Sequence, residues 1–444
     1  MKDLTKGRPS VLILTFALPI FLANLLQLTY SLADTRIVGT FLGDSALAAV
    51  GATTTLSNLI VQFLMGMCNG FAIISAQCFG AKDMDRLRRS LGNSLVLGLL
   101  AAVVLTIGGL VFLQPILRFL NVPENLLHTA TQYVSVIIAG LVVTLLYDVL
   151  SATLRAIGDT VTPLIVLAVS VVLNIGGDLL LIMVLHMGVL GAAVATVLSQ
   201  LIAVVVCAVY LWKKYEILRI RVDDLKLQDA GMLRNMLSSG LSMGFMSSLV
   251  NIGTLTLQTS INKLGQNIII AHTAARKISE IFMIMFSVFG QTMATYCGQN
   301  LGAGEITRIK KGVHASSFLA FLTSAFISIV MFLFGKTLLS MFISGDPEQT
   351  SQVLAIAWHY LSIMASCLCI LYFLYVYRSA LQGLGNTMIP MLSGVVEFFV
   401  RVGVALLLPK LIGQNGIFYA EIAAWTGAAV LLMISYYINI RKFA

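Results

Sequence analysis

The sequence predicts an all-α integral membrane protein with twelve transmembrane helices in two pseudo-symmetric six-helix lobes. Of its 444 residues 58% are hydrophobic and only 11% charged, against roughly a quarter charged in soluble proteins. Apolar runs of about twenty residues recur along the whole length, each long enough for a ~30 Å hydrocarbon core. Two segments also occur twice. Arg155-Ala156-Ile157-Gly158-Asp159-Thr160-Val161-Thr162-Pro163 returns as Gln382-Gly383-Leu384-Gly385-Asn386-Thr387-Met388-Ile389-Pro390, 227 residues later. Gln77-Cys78-Phe79-Gly80-Ala81 returns as Gln299-Asn300-Leu301-Gly302-Ala303, 222 residues later.

The spans fall at 11–39, 46–78, 88–113, 125–154, 160–185, 189–212, 232–262, 268–298, 312–335, 349–381, 386–409 and 416–439. Membrane barrel strands would alternate in polarity, and these runs do not. The opening Lys2, Lys6 and Arg8 before an apolar stretch mimic a signal peptide, but the run is too long and no small-residue cleavage site follows. It is the first span, interrupted by Pro19, where the missing amide allows a bend that a change at Asp34 could alter. Gly158-Asp159-Thr160 and Gly385-Asn386-Thr387 read as tight turns with a helix start behind them, capped by Asp159 or Thr160 and with Pro163 in the first turn.

With an even number of spans both termini share a side. That side carries 20 of the 28 Lys and Arg, so it is cytoplasmic. The net charge of +9 therefore reports topology and a lipid-bilayer partner, not nucleic acid. Residues 1–215 form the first lobe, 216–231 a cytoplasmic connection and 232–444 the second lobe. Six spans per half give the halves the same orientation, with a pseudo-twofold along the membrane normal, a functional site at their interface and a rocking motion about it. The alignment of halves continues through Arg86, Arg88 and Arg89 with Arg308, Lys310 and Lys311, and Gly43 with Gly265. The six Cys show no framework and read as small core residues.

A charge at mid-bilayer costs at least ~2.5–3.5 kcal/mol and calls for a reason. The first half has three acids at span depth: Asp34, Asp148 and Asp178. Their second-half equivalents are Thr256, Tyr375 and Ala405, all uncharged. This asymmetry predicts a cation site in the first lobe. Asn174 and Asp178 stand four apart, on one face of the fifth span. In the second half Glu397 and Arg401, also four apart, read as an intrahelical ion pair. Glu280 lies below Arg276 and Lys277, and is either paired with one of them or free to meet a cationic compound. Glu421 occupies the position of Thr196. Met and Phe crowd the seventh and eighth spans, where Met suits adaptable apolar surfaces. Most of them serve packing; Met246, Phe282 and Met283 join Glu280 as candidates for a substrate cleft.

Asp34 with Ile37-Val38-Gly39, Ala46-Leu47-Ala48-Ala49-Val50-Gly51, Gln77–Ala81, Leu154–Thr160, Gln299–Ala303 and Ala424-Trp425 together resemble the recurrent stretches of the multidrug and toxic compound extrusion (MATE) family, over essentially the whole chain. The resemblance implies a bacterial cytoplasmic-membrane exporter that exchanges organic compounds, often cationic, for Na⁺ or H⁺ by alternating access. It also implies a cation site built from an acid on the first helix (Asp34), a polar–acid pair on the fifth (Asn174 and Asp178) and a hydroxyl on the sixth (Thr196). A polar residue on the fourth completes it, for which Asp148 and Ser151 are both candidates. Na⁺ would sit among Asp34, Asp178 and Asn174; alternatively a carboxyl carries a proton. No cofactor and no enzymatic activity are expected, since no nucleotide loop, metal cluster or catalytic triad is present, and the protein is expected to be monomeric. Two rivals stand beside this reading. A lipid-linked oligosaccharide flippase of the same superfamily would want a more cationic interior, and a non-transporting receptor or scaffold would not need buried acids in one half.

Overall fold

The computed structural model describes residues 2–120, 122–343 and 347–443, and it is helical nearly throughout. The first half comprises α1 (Pro9–Leu42), α2 (Asp44–Gly80), α3 (Met84–Val111), the short α4 (Leu113–Phe119), α5 (Glu124–Ala139), α6 (Leu141–Ala156), α7 (Val161–Leu179) and α8 (Val189–Lys214). The second comprises α9 (Ala230–Ile261), α10 (Gln266–Gly302), α11 (Ile306–Ser340), α12 (Pro347–Gly383), α13 (Met388–Ile412) and α14 (Ala420–Arg441). Eleven helices are long and apolar enough to span a membrane, and the bent pair α5–α6 supplies the twelfth. Each expected span matches one of these within a few residues. Among the described residues there is no strand.

The fourth span departs from its expected single helix. It breaks at Gly140 with a bend of 43°. A Cβ at this position would stand 2.5 Å from Val197 Cγ2 on α8, so only glycine admits this approach. The equivalent span, α12, runs unbroken for 37 residues. Gly140→Val is expected to destabilise the fold by about 1–3 kcal/mol through overpacking, read as a lower midpoint in thermal unfolding of the detergent-solubilised protein; an unchanged midpoint would show that α8 yields freely.

The duplication is visible in hydrogen bonds. At the end of α6 the Asp159 amide donates to Leu154 and the Gly158 amide to Arg155 (both 2.9 Å). At the end of α12 Asn386 donates to Leu381 (3.0 Å) and Gly385 to Gln382 (2.8 Å). This is the same helix-ending turn, with the glycine left-handed in both copies (φ +87° and +80°). Gly158 is further constrained, because a Cβ there would meet the Lys2 carbonyl at 2.1 Å. Asp159 then caps the next helix, accepting from the Thr162 amide at 3.0 Å and its hydroxyl at 2.8 Å.

Packing forms two units, each with its own core. One holds the residues up to Asp3 and Leu18–Gly244; the other holds Leu4–Ala17 and Phe245–Ala444. In the first, α2 packs on α3 and α6, and α7 on α8. In the second, α10 packs on α11 and α12, and α13 on α14. The units thus repeat one arrangement but do not follow the linear boundary. The connection at 216–231 lies wholly within the first unit. It is fastened there: Asp224, 2% exposed, accepts from Arg88 of α3 at 2.6 Å, and its carbonyl lies where a side chain at Gly92 would stand. The first turns of α1 pack with the second unit, and this helix changes partner between Ala17 and Leu18, next to Pro19.

Candidate functional site: an acid pair in the first unit

Two four-residue spacings build the site. Tyr30 and Asp34 share one face of α1, and Asn174 and Asp178 share one face of α7. The structure brings these faces together with Thr196 of α8. The carboxyl groups of Asp34 and Asp178 come within hydrogen-bonding reach of each other. Asp178 is fully buried, and one oxygen of each carboxyl, Oδ1, is enclosed with no hydrogen-bond partner among the described residues. Neither acid makes an ion pair among those residues.

Asn174, 1% exposed, orients the pair. Its amide nitrogen donates to Asp178 Oδ2 (3.1 Å) and its oxygen accepts from the Thr196 backbone amide (3.2 Å). Thr196 Oγ1 donates to the Ala192 carbonyl (3.1 Å) and so accepts from the Tyr30 hydroxyl, also 3.1 Å away. Directly after Asp178 and Leu179 the helix loosens into a π turn, Leu180–Val184. Such turns recur at functional sites because they leave backbone groups less committed.

The fourth-span candidates lie elsewhere. Ser151 accepts from Arg155 Nη1 at 2.8 Å, and Asp148 faces the same guanidinium, two turns along α6. Arg155 also reaches Asn69 on α2, at 3.4 Å. This is a separate polar cluster with its own positive charge, so neither Asp148 nor Ser151 completes the acid pair. The fourth span contributes Tyr133 of α5 instead, packed beside the site against Val38, Ile182 and Ala192. Sequence reading missed both tyrosines. Their one available signal was the four-residue step from Tyr30 to Asp34.

The second-unit candidates are drawn into packing and ion pairs. Arg276 holds Glu280 at 3.2 Å and also bonds Glu421. Glu397 pairs with Arg401 as expected (3.4 Å) and, more closely, with Arg378. Met246 packs on Gly394 and receives the Gln382 amide on its sulfur at 3.8 Å. Phe282 and Met283 are half-buried. Phe286 and Phe289 stack around Tyr372, with centroids 5.8 and 6.1 Å away, so this part of the aromatic–Met cluster is core. Among the described residues no group of His, Cys, Asp and Glu could hold a transition metal.

Below the site, outside the spans, Asp159 takes a third bond from the Tyr215 hydroxyl at 2.7 Å. Burial opposes its ionisation, but Tyr215, the amide and hydroxyl of Thr162 and nearby Lys214 outweigh burial and hold the carboxyl below its usual value of 3.8. A depressed folded-state value stabilises the fold above the unfolded one and loses that stabilisation as pH falls through the folded value. Wild-type stability is therefore expected to fall more steeply than that of Asp159→Asn below about pH 4. Parallel curves in acid unfolding would contradict this.

Two lobes of six helices, with an uncompensated acid pair sunk into one of them, define a multi-pass helical membrane protein of the duplicated-lobe transporter class. The MatE family profile matches residues 19–180 and 242–407, once in each half, and the chain belongs to that family. It is 29% identical over 349 residues to "Probable multidrug resistance protein YoeA" of Bacillus subtilis, covering 76% of this chain and 75% of that protein. It is 27% identical over 430 residues to "Probable multidrug resistance protein NorM" of Thermotoga maritima, covering 94% and 88%. The fold matches the "Crystal structure of MATE in the bent conformation" with a TM-score of 0.91 at 22% identity, covering 99% of this chain and 97% of that one.

Proposed function

We propose that this protein is a secondary active exporter of small organic compounds, often cationic, driven by inward flow of Na⁺ or H⁺ across a bacterial cytoplasmic membrane. Both termini are cytoplasmic and the working unit is a monomer. Membership of the MatE family and the printed names of its relatives support export. One observation carries the ion coupling: Asp34 and Asp178 face each other in a membrane-spanning unit, with no basic partner among the described residues.

A hydrogen bond between two carboxyls needs one proton. A monovalent cation between them needs none, and would find the carboxylates and the Thr196 hydroxyl as oxygen donors of the kind hard cations take, joined by the Asn174 carbonyl once that amide turns over. The site can thus hold H⁺ or exchange it for Na⁺. Because α1 supplies one acid and α7 the other, occupancy fixes α1 against α7. An ion drives alternating access only if it binds the alternating states differently, and a site split between two helices meets that condition when the helices move. The test is reconstitution in vesicles with an imposed Na⁺ or H⁺ gradient and a fluorescent organic dye as cargo. Dye movement should follow one of the gradients; movement indifferent to both would overturn the antiporter reading.

A further inference from the structure

The second unit contains the counterpart of the acid site. On one side of it Gly191 of α8 meets the backbone of Leu181 in the π turn after α7 (3.2 Å to a built Cβ), and Gly416, in the turn before α14, meets the backbone of Leu408 on α13 (2.8 Å). These pairs are equivalent in the two halves, so the residues around them can be matched. Tyr133 corresponds to Tyr360, Asn174 to Arg401, Asp178 to Ala405 and Thr196 to Glu421. Arg401 and Glu421 lie within electrostatic reach of each other and of Tyr360, as Asn174 and Thr196 lie together in the first unit. The second copy has therefore kept its geometry and changed its charges.

In the first unit Asp34 and Asp178 lack a basic partner among the described residues. In the second, Arg276, Arg378 and Arg401 stand against Glu280, Glu397 and Glu421, and the set is neutral. Arg401 is 3% exposed. It touches Glu397, which replaces Ser170 of the first copy, at 3.4 Å, while its Nε and Nη1 lie enclosed without hydrogen-bond partners among the described residues. Glu421 Oε2 and both ring nitrogens of His272 are enclosed in the same way, and the His272 ring sits 5.0 Å from that of Tyr360. A guanidinium with loose donors beside a carboxylate with a free oxygen fills this space without being bonded to capacity.

We propose that Arg401 is the built-in occupant of this second copy of the site: its guanidinium stands where an exchangeable monovalent cation sits in the first unit. The inference rests on the cation-site reading of Asp34 and Asp178. Its consequence is that one lobe alone couples to ions, and Arg401 is the residue that excludes them from the other. Removing that side chain leaves a cavity with one uncompensated negative charge, shaped for a small cation.

Purified Asp34→Asn/Arg401→Ala, in which the first site has lost its acid, should be stabilised by millimolar guanidinium, saturably and by roughly 2 °C or more in Tm. Na⁺ should give a smaller shift. Asp34→Asn alone and Asp34→Asn/Arg401→Lys, which keep the cation in place, should not respond. A double variant that folds only when guanidinium is present would support the proposal equally. A folded double variant that responds to no cation more than Asp34→Asn does, or one that cannot be recovered with or without guanidinium, would overturn it. Either result leaves the vesicle test of ion-driven export standing, because that test reads Asp34 in an intact second lobe.

Discussion

Asp34→Asn is expected to abolish ion-driven export. The amide matches the carboxyl in shape and can still bond Asp178, so folding should survive and the Tm in detergent should stay close to that of the wild type. What disappears is one of two acids, and with it the ability to bind an ion in one state more tightly than in another. Couplings between sites typically amount to about 1–3 kcal/mol, or roughly 5–150-fold in affinity. Without that difference a gradient has nothing to act on, and dye flux should fall to the level of protein-free vesicles. Asp178→Asn should behave in the same way. Asp148→Asn supplies the contrast, since Asp148 lies in the field of Arg155 on its own helix and makes no hydrogen bond to the pair among the described residues, and its variant should keep gradient-driven flux. Full coupling in Asp34→Asn, or its loss in Asp148→Asn with the first two variants intact, would move the ion site out of the geometry described above.

That contrast also marks how far the sequence could be read. Long apolar runs located all twelve spans, because a helix that crosses a bilayer must be apolar over its length whatever packs against it. The break at Gly140 was invisible for the same reason. A glycine in an apolar run carries no polarity signal, and its meaning depends on Val197 arriving from another helix. Asn174 and Asp178 were legible because a four-residue step fixes a common face. Asp148 and Ser151 were assigned to the wrong cluster because depth in the membrane was read without helix face. Their spacings to Arg155 place all three on one side of α6 and could have separated them. Tyr30 and Tyr133 resemble any core aromatic in sequence, and only the Thr196 partner of the Tyr30 hydroxyl and the packing of Tyr133 on Val38, Ile182 and Ala192 distinguish them. The pairing of Arg276 with Glu421 spans 145 residues, beyond the reach of local pattern.

Glu397→Ala should be the most destabilising single substitution in the second unit, costing about 3–5 kcal/mol. Two guanidiniums depend on this carboxylate. Arg378 bonds one oxygen and Arg401 the other, and both arginines are 3% exposed. After truncation Arg378 keeps Ser393 Oγ, at 2.9 and 3.3 Å, and the Tyr375 ring at 5.6 Å, and Arg401 makes no ion pair with Glu421 among the described residues. The cost is the desolvation of two charges left without a counter-ion, which exceeds the value of the ion pair itself. Glu397→Gln keeps an acceptor in place and should cost less, about 1–3 kcal/mol. Converting Arg378 and Arg401 to Met along with Glu397→Leu removes all three charges together and should recover much of the loss. Thermal unfolding in detergent distinguishes these outcomes, and a Glu397→Ala midpoint within a degree of the wild type would show that water already reaches the arginines. The buried charges of this unit are therefore matched among themselves and hold the helices in place, whereas Asp34 and Asp178 of the first unit make no ion pair among the described residues and remain available to an ion.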